Sequence, residues 1–157
     1  MKKLSLILVM TIAASSFAQT NTLDITTVKK ISTDEIVTSL KIYNNVEVIL
    51  TDKELNEIQI VGGKTDVENT MVKINNGELT ITSSSDDFFK DKVLVYVPSK
   101  SLATVYIHGG SSVSSTGILA NEMLEVTING DGKSTIQTSG YVNVNTIGDF
   151  PLETSAN

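Results

Sequence analysis

The sequence contains no cysteine. Its 157 residues are enough for one domain with a substantial core. Disulfide bonds are therefore excluded as a source of stability. The fold must be held by side-chain packing and by backbone hydrogen bonds between segments of the chain.

Arginine is also absent, and the 18 acidic residues outnumber the basic ones to give a formal net charge of −6. Nucleic acids are bound chiefly through clustered lysine and arginine side chains. Anionic lipid headgroups attract the same kind of cluster. The composition excludes a nucleic-acid partner and argues against an anionic membrane surface.

The first 18 residues have the pattern of a secretory signal peptide. Lys2 and Lys3 precede an apolar run at residues 4–14, and small residues lead to Ala18. This run is shorter than the roughly 20 apolar residues of a membrane-spanning helix. We expect cleavage after Ala18 and an exported chain without a membrane span, in the periplasm, at the cell surface or secreted. Residues 19–35 are expected to be a flexible lead-in, and residues 36–157 a single β domain.

Alternating apolar and polar residues indicate β-strands through most of residues 39–97. Asn76-Gly77 lies between two alternating runs and is the strongest hairpin signal, because both residues accept a positive φ. After the signal peptide, no run of the sequence keeps a period near 3.6 residues for more than a turn. The pattern predicts an all-β domain whose N-terminal half consists of antiparallel strands.

A repeated pattern follows between residues 105 and 148. Two residues that are expected to face inward precede each of three glycines, Gly109, Gly130 and Gly148. Each unit has about 20 residues and cannot bury its apolar face alone, so the units are expected to stack. We predict that these glycines form structural turns between stacked β coils, which contribute strands to two sheets about 10 Å apart.

These patterns resemble the head GIN domain of putative auto-transporter adhesins, a family of exported bacterial proteins. The resemblance rests on residues 93–98, on the run Leu102, Val105, Ile107 and Gly109, and on the strand patterns at 46–50 and 72–81. It spans about residues 40–152. It implies a short right-handed parallel β-helix similar to the pectin-lyase architecture, with an adhesive role and no catalytic residues. Together with the hairpin pattern, the expected fold is antiparallel strands leading into this β-helix. The turns at Gly109, Gly130 and Gly148 depart from the Gly-Ser-Gly type of the family.

Asp131 and Asp149 follow the repeat glycines of adjacent units, so stacking would bring their backbones about 4.8 Å apart. Three interpretations remain open. The two aspartates can be ordinary turn residues, they can hold a calcium ion, or they can act as the carboxylate pair of a glycoside hydrolase. No other cofactor is indicated.

Two further features of the sequence are candidate sites. His108 is the only histidine, so a Ser-His-acid triad would need it, with Ser111 or Ser112 nearby. The glycine elbow of such a nucleophile is missing, and we interpret His108 as a solvent-facing residue beside a turn. Phe88 and Phe89 are adjacent in a polar loop and can either contact a partner or pack inward.

The sequence therefore predicts a non-enzymatic, exported module for interaction or adhesion, which presents a rigid β surface to a glycan or a surface protein. Ser, Thr and Asn at the outward positions of the coils suit such a surface. The alternatives are a carbohydrate-active enzyme that uses Asp131 and Asp149, and a purely structural envelope protein. An open end of the β stack would favour self-association into a homo-oligomer.

Overall fold

The computed structural model describes residues 26–52, 57–84 and 92–148. In this part of the chain 68% of the residues are in strands and 4% in a helix, so the predicted all-β class is confirmed. The elements in chain order are β1 (Thr26–Ser32), β2 (Ser39–Tyr43), β3 (Val46–Thr51), β4 (Glu57–Gly63), α1 (Lys64–Glu68), β5 (Thr70–Asn75), β6 (Glu78–Ser83), β7 (Val93–Pro98), β8 (Thr104–His108), β9 (Ser112–Leu119), β10 (Met123–Asn129), β11 (Lys133–Thr138) and β12 (Tyr141–Ile147).

The strands form two mixed sheets of six strands each. Sheet A has the order β1-β4-β7-β3-β9-β11, and sheet B has the order β12-β10-β8-β2-β6-β5. Pairing is parallel from β7 to β11 in sheet A and from β12 to β6 in sheet B. Antiparallel pairing is confined to β1, β4 and β7 at one end of sheet A and to β5 and β6 at the same end of sheet B.

The core lies between the two sheets and is built by strict alternation along the strands. In β3, Val46, Val48 and Leu50 are fully buried, whereas Glu47 and Ile49 on the opposite face are half-buried. β-branched and other apolar side chains at every second position suit a strand that is buried on one face. The buried positions of the two sheets form one hydrophobic cluster.

The prediction of an antiparallel N-terminal half is only partly correct. The hairpin at Asn76-Gly77 is present, with φ of 51° and 77°, and joins antiparallel β5 and β6. The prediction is wrong for β2 and β3, which pair in parallel with neighbours on both sides. Between them, Asn44 and Asn45 both have positive φ, but this turn passes the chain from sheet B to sheet A instead of folding it back. Alternation alone does not distinguish these two outcomes.

The repeat glycines follow strands that are stacked in register. Val105, Val126 and Val144 are partners in sheet B, as are Ile107, Ile128 and Thr146. From β8 onward the chain alternates between the sheets, with β9 and β11 paired in sheet A. The earlier pair β2 and β3 lies between β6–β7 and β8–β9, so spatial order differs from chain order.

The expected flexible lead-in at residues 19–35 contains a strand. Residues 26–32 form β1, which pairs antiparallel with β4 over seven residue pairs. An ion pair of 3.0 Å joins Lys30 to Glu57 across this pairing. The polar composition of the segment suggested flexibility, but an edge strand with both faces largely exposed needs few apolar residues.

Asn121 connects the turns at one corner between the sheets. Its side chain is 5% exposed, and Nδ2 donates to the carbonyls of Ser99 at 2.7 Å and Leu102 at 2.8 Å. The Asn121 carbonyl in turn accepts from Thr138 Oγ1 at 2.7 Å, and Ser99 Oγ donates to the carbonyl of Thr51 at 3.1 Å. These bonds link three successive turns and add to the backbone hydrogen bonds that the carbonyls of Thr51 and Ser99 accept from the N–H groups of Ser99 and Leu102.

Candidate ligand-contacting surface on sheet B

The glycines of the repeat occupy turns in which backbone conformation favours glycine. Gly109, Gly130 and Gly148 have φ of 69°, 94° and 134°. Gly130 also lies close to the preceding turn, since an added Cβ would meet Gly109 N at 3.5 Å. Residues with side chains rarely adopt these φ values.

Only one of the predicted contact residues lies where the structure describes it. Asp131 is exposed in the turn after Gly130. Phe88, Phe89 and Asp149 lie outside the described residues. Within the described ranges, no group of three or more His, Cys, Asp or Glu side chains is arranged to hold a metal ion.

The serine beside His108 has a structural role. Ser111 is fully buried, and its Oγ accepts a hydrogen bond from the backbone N–H of Val46 at 3.3 Å. The Nδ1 atom of His108 is also buried and has no hydrogen-bond partner. A nucleophile and its base must lie within hydrogen-bond reach of each other, and these contacts do not form such a pair.

The outer face of sheet B carries polar and aromatic side chains in columns that cross the strands. One column runs through Lys41, Tyr106, Thr127 and Asn145, which are successive register partners on β2, β8, β10 and β12. The inward residues on either side of these positions, such as Ile42 and Ile107, are fully buried. The packed core therefore fixes which side chains this face presents.

Three aromatic rings meet on this face. The ring centroids of Tyr43 and Tyr106 are 6.0 Å apart, those of Tyr43 and His108 are 5.7 Å apart, and those of Tyr106 and His108 are 6.4 Å apart with planes that are 8° from parallel. All three side chains are half-buried. These separations are within the 4.5–7 Å range of favourable aromatic pairs. We call Tyr43, Tyr106 and His108 the aromatic cluster.

Polar groups complete the surroundings of the aromatic cluster. Asn129 Nδ2 donates to the hydroxyl oxygen of Tyr106 at 3.0 Å. Lys41 Nζ forms a 2.8 Å ion pair with Glu78 on the neighbouring strand β6. The hydrogen bond to the Glu78 carboxylate and its negative charge raise the pKa of Lys41 above its ordinary value. Lys41 therefore carries a positive charge beside the aromatic cluster, and the negative charge of the Glu78 carboxylate balances it.

The aromatic cluster was not predicted from the sequence. Tyr43 is far from Tyr106 and His108 along the chain, and the parallel pairing of β2 with β8 brings them close. The available signal was the outward position in each strand, which follows from alternation around Ile42 and Ile107. Which strands are neighbours in the sheet is a long-range property that alternation does not contain.

These features define the class of the protein, which is an all-β domain with two mixed sheets and a polar, aromatic outer face on sheet B. The model of the family described as "Putative auto-transporter adhesin, head GIN domain" matches residues 37–157. The chain belongs to this family, as the sequence patterns indicated. A search of the curated proteins finds no match.

Solved structures with the same fold have low sequence identity to the chain. A putative adhesin from Parabacteroides distasonis ATCC 8503 is 16% identical with a TM-score of 0.58, covering 77% of this chain and 56% of its own. A putative adhesin from Parabacteroides merdae ATCC 43184 is 18% identical with a TM-score of 0.55, covering 77% and 55%. A putative lipid binding protein from P. distasonis ATCC 8503 is 11% identical with a TM-score of 0.51, covering 77% and 59%. The chain thus spans little more than half the length of these structures.

The described residues include one short helix, α1, and none that is long and apolar enough to cross a membrane. The family description names adhesins, a class of exported or surface protein.

Proposed function

We propose that the protein is an exported, non-enzymatic adhesion module that contacts its partner through the outer face of sheet B. The aromatic cluster carries the proposal, because half-buried tyrosines among polar residues provide apolar area and hydrogen-bonding groups on one rigid surface. Membership of a family of adhesin-type domains supports it.

The rigidity of this surface comes from the parallel strands beneath it. We propose that β2–β3 and β6–β12 form a short right-handed parallel β-helix, with β1, β4 and β5 at one end. The alternation of the chain between sheets and the in-register stacking of Val105, Val126 and Val144 support this arrangement. With a stacked core of this kind, a side chain on the outer face of sheet B can be substituted without displacing the neighbouring side chains.

Export follows from the proposed signal peptide at residues 1–18. N-terminal sequencing of the protein recovered from its producing cells should begin at Gln19. A chain that retains Met1 after fractionation would contradict export by this route.

The binding function is tested by applying the exported protein to an array of immobilised glycans and matrix proteins, with and without calcium. We expect reproducible binding to a restricted set of these molecules. Binding to none of them, by a protein with the far-UV circular dichroism of a β fold, would contradict the adhesion module and favour a purely structural envelope role.

The carbohydrate-active enzyme is tested by the paired substitutions Asp131→Asn and Asp149→Asn. The adhesion module predicts no glycan cleavage by the wild type, so the double variant should bind as the wild type does. Cleavage that is lost in a folded double variant would establish the enzyme instead. The same variant tests calcium, since a site at these carboxylates would make the thermal unfolding midpoint rise with calcium only in the wild type.

Self-association is a further proposal for β12, the edge strand of sheet B among the described residues. Val144 and Ile147 on this strand are 38% and 55% exposed, and the neighbouring Tyr141 is 80% exposed. Apolar area of this kind at the end of a stack favours contact between copies. Light scattering that shows a strict monomer at high concentration would contradict it.

A further inference from the structure

We propose that the aromatic cluster, together with Asn129, is a binding subsite for a neutral carbohydrate. The inference deepens the proposed function and rests on it, because it names the ligand class of the same surface. Three properties of the described residues support it: the apolar faces of the rings, the hydrogen-bonding groups beside them and the balance of charge around them.

The rings supply the apolar part of the subsite. A pyranose ring has a face of C–H groups and an edge of hydroxyl groups, so it can stack on an aromatic ring while its edge remains solvated or hydrogen-bonded. Tyr106 and His108 are nearly parallel, with centroids 6.4 Å apart, and Tyr43 is inclined to them at 51° and 52°. These half-buried rings contact one another and are fixed by strands whose opposite faces are core, so little side-chain entropy is lost on binding.

The hydrogen-bonding groups lie beside the rings. The Tyr106 oxygen accepts a hydrogen bond from Asn129 Nδ2 at 3.0 Å, and its own proton is not used in that bond. A phenol that already accepts one hydrogen bond is a better donor to a further oxygen, since linked hydrogen bonds polarise one another. Thr127, next to Tyr106 in the register, adds a hydroxyl that can both donate and accept.

The charges around the cluster fit a neutral ligand. Lys41 is the register partner of Tyr106 on β2, and its ammonium group is paired with Glu78 at 2.8 Å. An anionic sugar would have to compete with that carboxylate and approach a chain of net charge −6. A neutral sugar meets neither cost.

A protein partner fits this part of the surface less well. Stable protein interfaces bury about 800 Å² on each side around an apolar centre. Apart from Lys41, which is paired with Glu78, the register neighbours of the cluster across the strands are the hydroxyl and amide residues Thr82, Thr127 and Asn129. A small aromatic area within polar columns matches one or two sugar rings rather than the core of a protein interface.

The experiment uses an array of neutral, sialylated and sulfated oligosaccharides, followed by calorimetric titration of the strongest neutral oligosaccharide. The variants are Tyr106→Ala, Tyr43→Ala and Tyr106→Phe. The matched control is Tyr96→Ala, since Tyr96 on β7 is a tyrosine that is half-buried like Tyr106 but lies on the outer face of sheet A.

We expect the wild type to bind neutral oligosaccharides and Tyr106→Ala to weaken binding by about tenfold. Tyr106→Phe keeps the ring and loses the hydroxyl, so binding should weaken by about threefold. It also removes little packing, which keeps the test valid should Tyr106→Ala fail to fold. Tyr96→Ala should bind as the wild type does.

Three outcomes would overturn the subsite. They are binding to acidic sugars alone, neutral-sugar binding that Tyr106→Ala and Tyr43→Ala both retain in full, and binding to matrix proteins with no sugar bound. The last outcome leaves the adhesion module intact, whereas binding to neither sugars nor matrix proteins contradicts both proposals.

Discussion

The buried amide of Asn121 provides a strong test of how the turns between the sheets are held. The substitution Asn121→Asp keeps the size of the side chain but replaces an NH₂ group that donates two hydrogen bonds, at 2.7 and 2.8 Å, with a carboxylate that donates none. The side chain is 5% exposed, so water has little access to the two carbonyls. Both would lose a partner and would face an added negative charge.

The cost follows from these contacts. Leaving the buried Leu102 carbonyl without a hydrogen bond costs about 1–3 kcal/mol, and the Ser99 carbonyl, which keeps a hydrogen bond from the N–H of Leu102, loses about 1 kcal/mol. The total of about 2–4 kcal/mol is a substantial part of the roughly 5–15 kcal/mol that stabilises a domain. At about 4 °C for each kcal/mol, the midpoint of thermal unfolding should fall by about 8–16 °C.

The destabilisation should also depend on pH. Burial and the two carbonyls favour the protonated carboxyl, so its pKa in the folded state should rise above the unfolded value of about 3.9. The folded variant then binds more protons than the unfolded one, and the destabilisation should shrink as pH falls through the folded pKa. The wild-type amide has no such dependence.

Urea denaturation followed by circular dichroism at pH 7 and pH 5 measures both effects. The matched control is Asn44→Asp, which makes the same chemical change at an exposed turn position with φ 62°, a conformation that aspartate also adopts. Equal midpoints for the two variants at pH 7 would refute the structural role of the Asn121 amide.

Two further predictions concern a turn and an ion pair. Gly140→Ala should destabilise the fold by about 2–3 kcal/mol, because an added Cβ would lie against the backbone carbonyls of residues 121 and 122. The control is Gly117→Ala, which should change the thermal midpoint little because no atom lies within 4 Å of a Cβ added there. The reverse order of the two midpoints would contradict the close approach at Gly140.

The hydrogen bond from Lys30, and to a smaller extent the one from Gln59, lowers the pKa of Glu57 in the folded protein. The ion pair of Lys30 with Glu57 therefore stabilises the fold above the unfolded pKa of 4.5, and this stabilisation is lost as pH falls through the lower folded pKa. Lys30→Met should therefore lower the urea midpoint more at pH 6 than at pH 3, and an equal effect at both values would show that the pair does not stabilise β1.

Local structure could be predicted from the sequence where short-range chemistry determines it. Asn76-Gly77 indicated the hairpin, and alternation identified the inward residues of β8 and β10, such as Val105 and Val126. Repeated glycines indicated turns, but the sequence treats Gly117 and Gly140 alike although only Gly140 lies against backbone atoms.

The remaining features depend on which segments meet in space. β1 was missed because polar residues can form an edge strand when a partner supplies the ladder, here β4. The parallel placement of β2 beside β8 was missed for the same reason, and with it the contact of Tyr43 with Tyr106 and His108. Neither pairing leaves a signal in local composition.

The most direct test of the account asks which face of the molecule touches the partner. Since the chain has no cysteine, Thr127→Cys on the outer face of sheet B and Thr135→Cys on the outer face of sheet A each create a unique thiol. Each thiol is coupled to a polyethylene glycol maleimide, and binding to the molecules identified on the array is measured before and after coupling. We predict that coupling on sheet B abolishes binding and that coupling on sheet A leaves binding unchanged. Binding that survives the label on sheet B and is lost with the label on sheet A would contradict it.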